Sequence, residues 1–137
     1  MSPLADSTRA ALLQQLQAQV PGLTAVYAFG SRITGQAGPD SDLDLAVLVA
    51  GYADPVALWR LAGPLADFAG SPVDLLDLRA SSTVMQYQVI TTGERWWAAD
   101  IQADLFEATI LSEKTELDTA RAGLLKDIQQ SGVVYGR

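Results

Sequence analysis

The sequence predicts an α/β sandwich, a small mixed β-sheet flanked by helices, with a long C-terminal helix. Three observations carry that prediction. Apolar runs at Leu23–Phe29, Leu43–Val49 and 73–78 have strand length and are bounded by Gly, Pro or Asp. Segments with helical spacing alternate with them. The stretch between the second and third runs is long enough for a helical crossover, which makes those two strands parallel. The whole chain, 1–137, reads as a single domain with its core over about 23–99 and the last helix over about 100–130.

Asp6 or Ser7 can cap a first helix in which Ala10, Leu13, Leu16, Gln17 and Val20 share a face, and Pro21-Gly22 ends it. The first strand runs into Gly30-Ser31. Residues 32–35 make a helical turn, and 36–41, rich in Gly, Pro and Asp, a loop. Beyond Asp44 the second strand is apolar on both faces, as a central strand must be. Asp54-Pro55 opens a helix to about residue 69 with Leu58, Leu61, Leu65 and Phe68 inward; Gly63-Pro64 should kink or split it.

Gly70-Ser71-Pro72 leads into the third strand. Ser81 or Ser82 caps a helix carrying Val84, Tyr87, Gln88 and Ile90 or Thr91 before Gly93, and 95–98 is a short edge strand. From Asp100 a long helix runs toward residue 129, with Ile101, Leu105, Ala108, Leu111, Leu117, Leu124 and Ile128 on its apolar side, until Gly132 ends it. There is no internal repeat, linker or low-complexity segment.

Composition narrows the chemistry. With 49% hydrophobic residues, 137 residues can bury a real core. No apolar run approaches the ~20 residues of a membrane span, and the N-terminus lacks a signal-peptide pattern, so a cytoplasmic protein with no membrane partner is expected. Cysteine and histidine are both absent, which excludes disulfides, thiolate or imidazole metal sites and a His general base. Any metal must then be held by Asp and Glu, and hard oxygen ligands favour Mg²⁺ or Mn²⁺. The net charge of −7 and pI near 4.3 make direct nucleic-acid binding an unfavourable expectation.

Residues 28–49, AFGSRITGQAGPDSDLDLAVLV, hold the functional signal. Gly30-Ser31 closes one apolar run, and Asp42-Leu43-Asp44 opens the next, ten residues after Ser31. A Gly-Ser turn can present backbone N–H groups to phosphate oxygens. Carboxylates at i and i+2 of a strand point to one face, roughly 7 Å apart at Cβ, near enough to ligate metal ions about 4 Å apart. Together they read as a nucleotide site. Two other readings fail: Gln36-Ala37 stand where a P-loop needs Lys and Ser/Thr, and Leu45 and Gly51 replace the Gly and Glu of a calcium loop that Asp40, Asp42 and Asp44 would otherwise begin. A solvated acidic loop before a buried strand is the plainer alternative.

The run G-S-x10-D-x-D between two strands resembles the signature of the DNA polymerase β-like nucleotidyltransferase superfamily. The fuller GSRITGQAGPDSDLDL, in so short a chain, resembles its minimal nucleotidyltransferase (MNT) branch, from about Leu23 to Leu125. Many members of that branch are antitoxins paired with HEPN-domain toxins. The resemblance implies the polymerase β-like fold and transfer of AMP from ATP to a tyrosine of a HEPN toxin, with two Mg²⁺ ions.

A two-metal site needs a third carboxylate. Asp74 and Asp77 in the third strand differ by three positions and point to opposite faces. With parallel strands, Asp74 is level with Asp42 and Asp44, while Asp77 lies roughly 10 Å further along. The family's third catalytic Asp in VDLLDL falls on Asp74 as well. Asp42, Asp44 and Asp74 are therefore the expected catalytic and metal-binding residues, Gly30 and Ser31 the grip on the β/γ-phosphates, and Arg32 a counter-charge for the triphosphate. Asp77 reads as a strand-end residue that solvates or pairs. Lys114 and Arg121 fit a solvated helical face better than a nucleotide contact. Trp59, Trp96 and Trp97 fit the core or a partner interface, and Tyr27 and Tyr87 fit the core.

Three functions stay open on sequence: an MNT antitoxin that modifies its toxin, a small-molecule transferase of the aminoglycoside type, and a binding partner acting by contact alone. An acceptor supplied by a partner would need an exposed apolar patch, expected on the last helix or around Trp96-Trp97.

Overall fold

The three apolar runs become neighbouring strands because the residues between them turn or cross over as their composition dictates. A computed structural model of the chain describes residues 5–34 and 42–131, with side chains on the last helix through Glu116. The loop expected over 36–41, the stop at Gly132, and the side chains of Leu117, Arg121, Leu124 and Ile128 lie outside the described residues. The elements run α1 (Asp6–Gln19), β1 (Leu23–Phe29), α2 (Ser31–Thr34), β2 (Leu43–Val49), α3 (Pro55–Ala69), β3 (Val73–Asp77), α4 (Thr83–Thr92), β4 (Glu94–Ala98) and α5 (Gln102–Ser131).

The sheet is mixed and four-stranded, ordered β3-β2-β1-β4. β1 is antiparallel to β2 and β4, and the crossover through α3 makes β2 and β3 parallel. β2 is flanked on both sides and buried from Leu45 to Val49, as its two-faced apolar pattern requires. Its odd residues, Leu43 to Val49, pack with Leu12 and Leu16 of α1 and Leu58 and Leu65 of α3. Ala46 and Leu48 face the opposite layer, where Val89 of α4 and Ala103 of α5 cover them together with Tyr27.

Side-chain caps start three helices. Asp54 accepts from Val56 N (3.0 Å), Ser82 from Met85 N (3.2 Å) and Asp100 from Gln102 N (2.8 Å). α1 differs: it begins at Asp6 with Ala5 as N-cap and no side-chain cap, so neither Asp6 nor Ser7 plays that part. α3 also differs, running unbroken through Pro64. Gly63, which has no Cβ to clash with the proline ring, precedes it, and buried Leu58 and Leu65 anchor the helix on either side.

The outer layers depart most from expectation. Phe68 is exposed, and α4 turns Gln86 and Val89 inward while Val84 faces solvent. Gln86 earns its burial by donating to the Leu78 and Arg79 carbonyls. On α5 the inward residues are Ala103, Phe106 and Ile110; the expected stripe of Ile101, Leu105, Ala108 and Leu111 faces outward. The cause is a polar tie. Tyr27 Oη, on a buried ring, donates to Glu107 Oε2 (2.8 Å), and Arg95 Nη1 donates to Glu107 (2.9 Å) and Asp104 (2.7 Å). Bringing Glu107 to β1 rotates the apolar stripe away.

Candidate active site

Strand direction gathers the acidic residues at one end of the sheet. β1 ends at Phe29, and both β2 and β3 begin beside it. Phe29 pairs with Asp44, and Asp44 with Asp74. Asp42 and Asp44 share the face of β2 that carries Ala46 and Leu48. Asp74 lies on the same face of β3 as Leu76, so Asp44 and Asp74 stand side by side.

Their charges press on each other. The Asp44 carboxyl is held above the ordinary carboxylate range, first by partial burial, then by the negative charges of Asp74 and Asp42, and by a shared hydrogen bond with Asp74. Among the described residues none of the three is ion-paired, for the salt bridges there belong to Arg95. As the side chains stand, no three acidic groups among the described residues enclose a single point. The donor set is nonetheless all hard oxygen, uncompensated and crowded around Asp44, which fits divalent cations such as Mg²⁺.

Gly30 closes the site from behind. Its φ of +84° is in the left-handed region, and a Cβ there would lie 3.2 Å from Asp44 Cγ and closer still to Oδ2. The turn it makes lets Ser31 open α2, with Ile33 N bonded to Gly30 O (3.1 Å). Arg32 reaches across to β3's approach, donating to Ser71 Oγ at 2.7 Å rather than to a carboxylate. Gly30, Ser31, Arg32, Asp42, Asp44 and Asp74 thus share one end of the sheet.

Asp77 is on the opposite face and occupied: Oδ2 accepts from Ala53 N (2.8 Å) and Oδ1 from Arg79 N (3.1 Å), fastening the loop between β2 and α3. Lys114 Nζ sits 5.5 Å from the ring centre of Tyr87, on the α4–α5 seam. Trp96 is core, Trp97 is half-buried against it, and Arg9 stacks on Trp96. Trp59 is neither: it is 80% exposed on α3, beside Tyr52 at 72%. Of the two places open to Trp59 on sequence, core or partner interface, its exposure excludes the core; sequence reasoning did not single out Tyr52 beside it. The available signal was the spacing of Trp59 with Val56, on the side of α3 away from Leu58 and Leu65, with Tyr52 in the segment leading into the helix.

A four-stranded mixed sheet with helices on both faces, a Gly-Ser turn and strand-borne carboxylates at one end defines the nucleotidyltransferase class. The chain belongs to the family described as Polymerase beta, Nucleotidyltransferase, whose model matches residues 12–102. It is 37% identical over 117 residues, 85% of this chain and 84% of the relative, to the protein adenylyltransferase MntA of Shewanella oneidensis. Among solved structures it resembles a toxin–antitoxin crystal structure with AMP-PNP (TM-score 0.75, 36% identity, covering 88% of this chain and 98% of the other). It also resembles a chain in the complex of a tri-AMPylated Shewanella oneidensis HEPN toxin with its MNT antitoxin (TM-score 0.70, 33% identity, covering 90% and 97%).

Proposed function

We propose that this protein is an antitoxin adenylyltransferase, which transfers AMP from ATP to a tyrosine hydroxyl of a cognate HEPN-domain toxin and so neutralises it. The observation that carries the reading is the register of Asp44 against Asp74, with Asp42 two residues away and Gly30 closed against Asp44. The similarity to MntA, whose name states protein adenylyltransferase activity, and to complexes holding AMP-PNP or an AMPylated toxin supports the same acceptor and donor.

The transfer forms one bond and breaks one. The phenolic oxygen attacks the α-phosphorus of ATP, the bond from that phosphorus to the β-bridging oxygen breaks, and pyrophosphate leaves. The phenolic proton passes to Asp74, the carboxylate nearest the open side of the sheet, and from there to water. Gly30 and Ser31 grip the β/γ-phosphates, and Arg32 offsets the triphosphate charge from its place beside Ser71. Asp42, Asp44 and Asp74 would hold two Mg²⁺ or Mn²⁺ ions, which supply charge neutralisation at the triphosphate and favour the ionised phenol. We read the chain as one domain that acts in the cytoplasm; no described helix is long and apolar enough to cross a membrane.

Exposed apolar side chains, which a protein acceptor would need for docking, support the reading. Trp96 is buried, but Ile101, Leu105 and Leu111 form an exposed apolar stripe on α5, and Tyr52, Val56 and Trp59 form another at the start of α3. The test is mass spectrometry of a cognate HEPN toxin after incubation with this protein, ATP and Mg²⁺. AMP adducts on a toxin tyrosine are expected. Efficient nucleotidylation of a free aminoglycoside, with no adduct on the toxin, would overturn the reading.

A further inference from the structure

β3 is a terminal strand of the sheet. Leu43 N donates to Pro72 O and Leu78 N to Val47 O, each at 2.9 Å. Backbone polar groups alternate sides along a strand, so the even-numbered residues of β3 bond to β2 while Val73 and Leu75 turn theirs outward. Beside this edge runs a groove of about 710 Å³, walled by Leu58 and Trp59 of α3 and by Tyr52, with Asp74 in its lining. The other edge, β4, is guarded by charge: Glu94 is exposed and Arg95 is held by Asp104 and Glu107.

The lining of the groove also carries a charge preference. It contains Asp74 and Asp77 and no Lys or Arg, in a chain of net charge −7. A cationic occupant is therefore complementary, and the exposed rings of Tyr52 and Trp59 offer it cation–π as well as apolar contact. The groove is continuous with the reaction site, because Asp74 belongs to both.

We infer that the β3 edge is the acceptor dock: an extended, basic, tyrosine-bearing segment of the toxin adds to the sheet as a strand along Val73–Asp77. Main-chain bonds to Val73 and Leu75 set its register, Tyr52 and Trp59 hold its flanking side chains, and the tyrosine hydroxyl is delivered to Asp74. This mode needs no enclosed acceptor pocket, since the added strand's register does the positioning. The inference rests on the adenylyltransferase reading.

The test uses the full chain and the cognate HEPN toxin. Amide exchange, measured without ATP, should slow at least tenfold at Val73 and Leu75 when the toxin binds, with the β4 amides unchanged. In the transfer assay, Trp59→Ala should raise the KM for toxin at least tenfold with less than a twofold fall in kcat, and Trp59→Phe should restore most of the loss. Because the Trp59 side chain is exposed, its removal does not threaten the fold. Protection confined to the outer face of α5, or an unaltered KM in Trp59→Ala, would overturn the inference. The two readings fail separately. Adducts formed without protection of β3 refute the dock alone, while protection of β3 with no adduct supports the dock and refutes adenylyl transfer.

Discussion

Gly30 is pressed against the carboxylate of Asp44, so the turn that ends β1 and the acid that opens β2 are built as one unit. Replacing Gly30 by Ala has two costs, a left-handed backbone carrying a side chain and a methyl group inside the space of Asp44. The expected result is a loss of about 1–3 kcal/mol in stability. AMP transfer should fall by a factor on the order of 10² as Asp44 is displaced. Thermal melts and a toxin-labelling assay check the two separately. A variant equal to wild type in both would remove Gly30 from the site.

Asp74 and Asp77 should separate cleanly. Asp74→Ala is expected to lose transfer by a factor on the order of 10² or more, with little change in melting temperature. Asp77→Ala should behave in reverse, because its carboxylate accepts two backbone N–H groups. The cost there is about 1–3 kcal/mol. Activity per folded molecule at saturating toxin should be largely retained. Finding the opposite ranking would mean that the acceptor side of the site lies on the other face of β3.

The pH dependence of Asp44 has a definite sign. Its carboxyl is raised in the folded protein by burial and by Asp74 and Asp42, so the folded state favours the protonated form. The stabilising contribution is present below the ordinary carboxylate value and is lost as pH rises through the raised one. Asp44→Asn should therefore melt higher than wild type at neutral pH without Mg²⁺, with the gap narrowing as the pH approaches 4. Added Mg²⁺ should raise the wild-type midpoint and leave the variant almost unmoved. A gap that widens on acidification would contradict the crowding of these carboxylates.

Tyr27 is expected to be a structural phenol. Burial first, then its bond to Glu107, pushes its ionisation far above the usual tyrosine range, so it remains a donor at every working pH. Tyr27→Phe should cost about 1.5–3 kcal/mol, as for a hydrogen bond to a charged group. It should also loosen α5, seen as faster amide exchange over Ala103–Ile110, while ATP binding is retained.

The strands, the two-residue spacing of Asp42 and Asp44, and the levelling of Asp74 with them are legible in the amino-acid order. All three follow from short-range rules: apolar runs between breakers, a period of two along a strand, and a crossover long enough to force parallel pairing. Asp77 was separable from Asp74 for the same reason. The tertiary structure alone decided what faces what in the helical layers. α5 carries apolar residues on more than one side, and a pattern read as spacing cannot rank them. The side turned inward was chosen by small Ala103 fitting under the sheet and by the reach of Glu107 to Tyr27, a partner 80 residues away. Pro64 likewise stays inside an unbroken helix, because burial of Leu58 and Leu65 outweighs one missing hydrogen bond. The groove at Trp59 could not be read from sequence either. An exposed tryptophan and a core tryptophan carry the same letter, and only the position of β3 at the edge of the sheet leaves that ring uncovered.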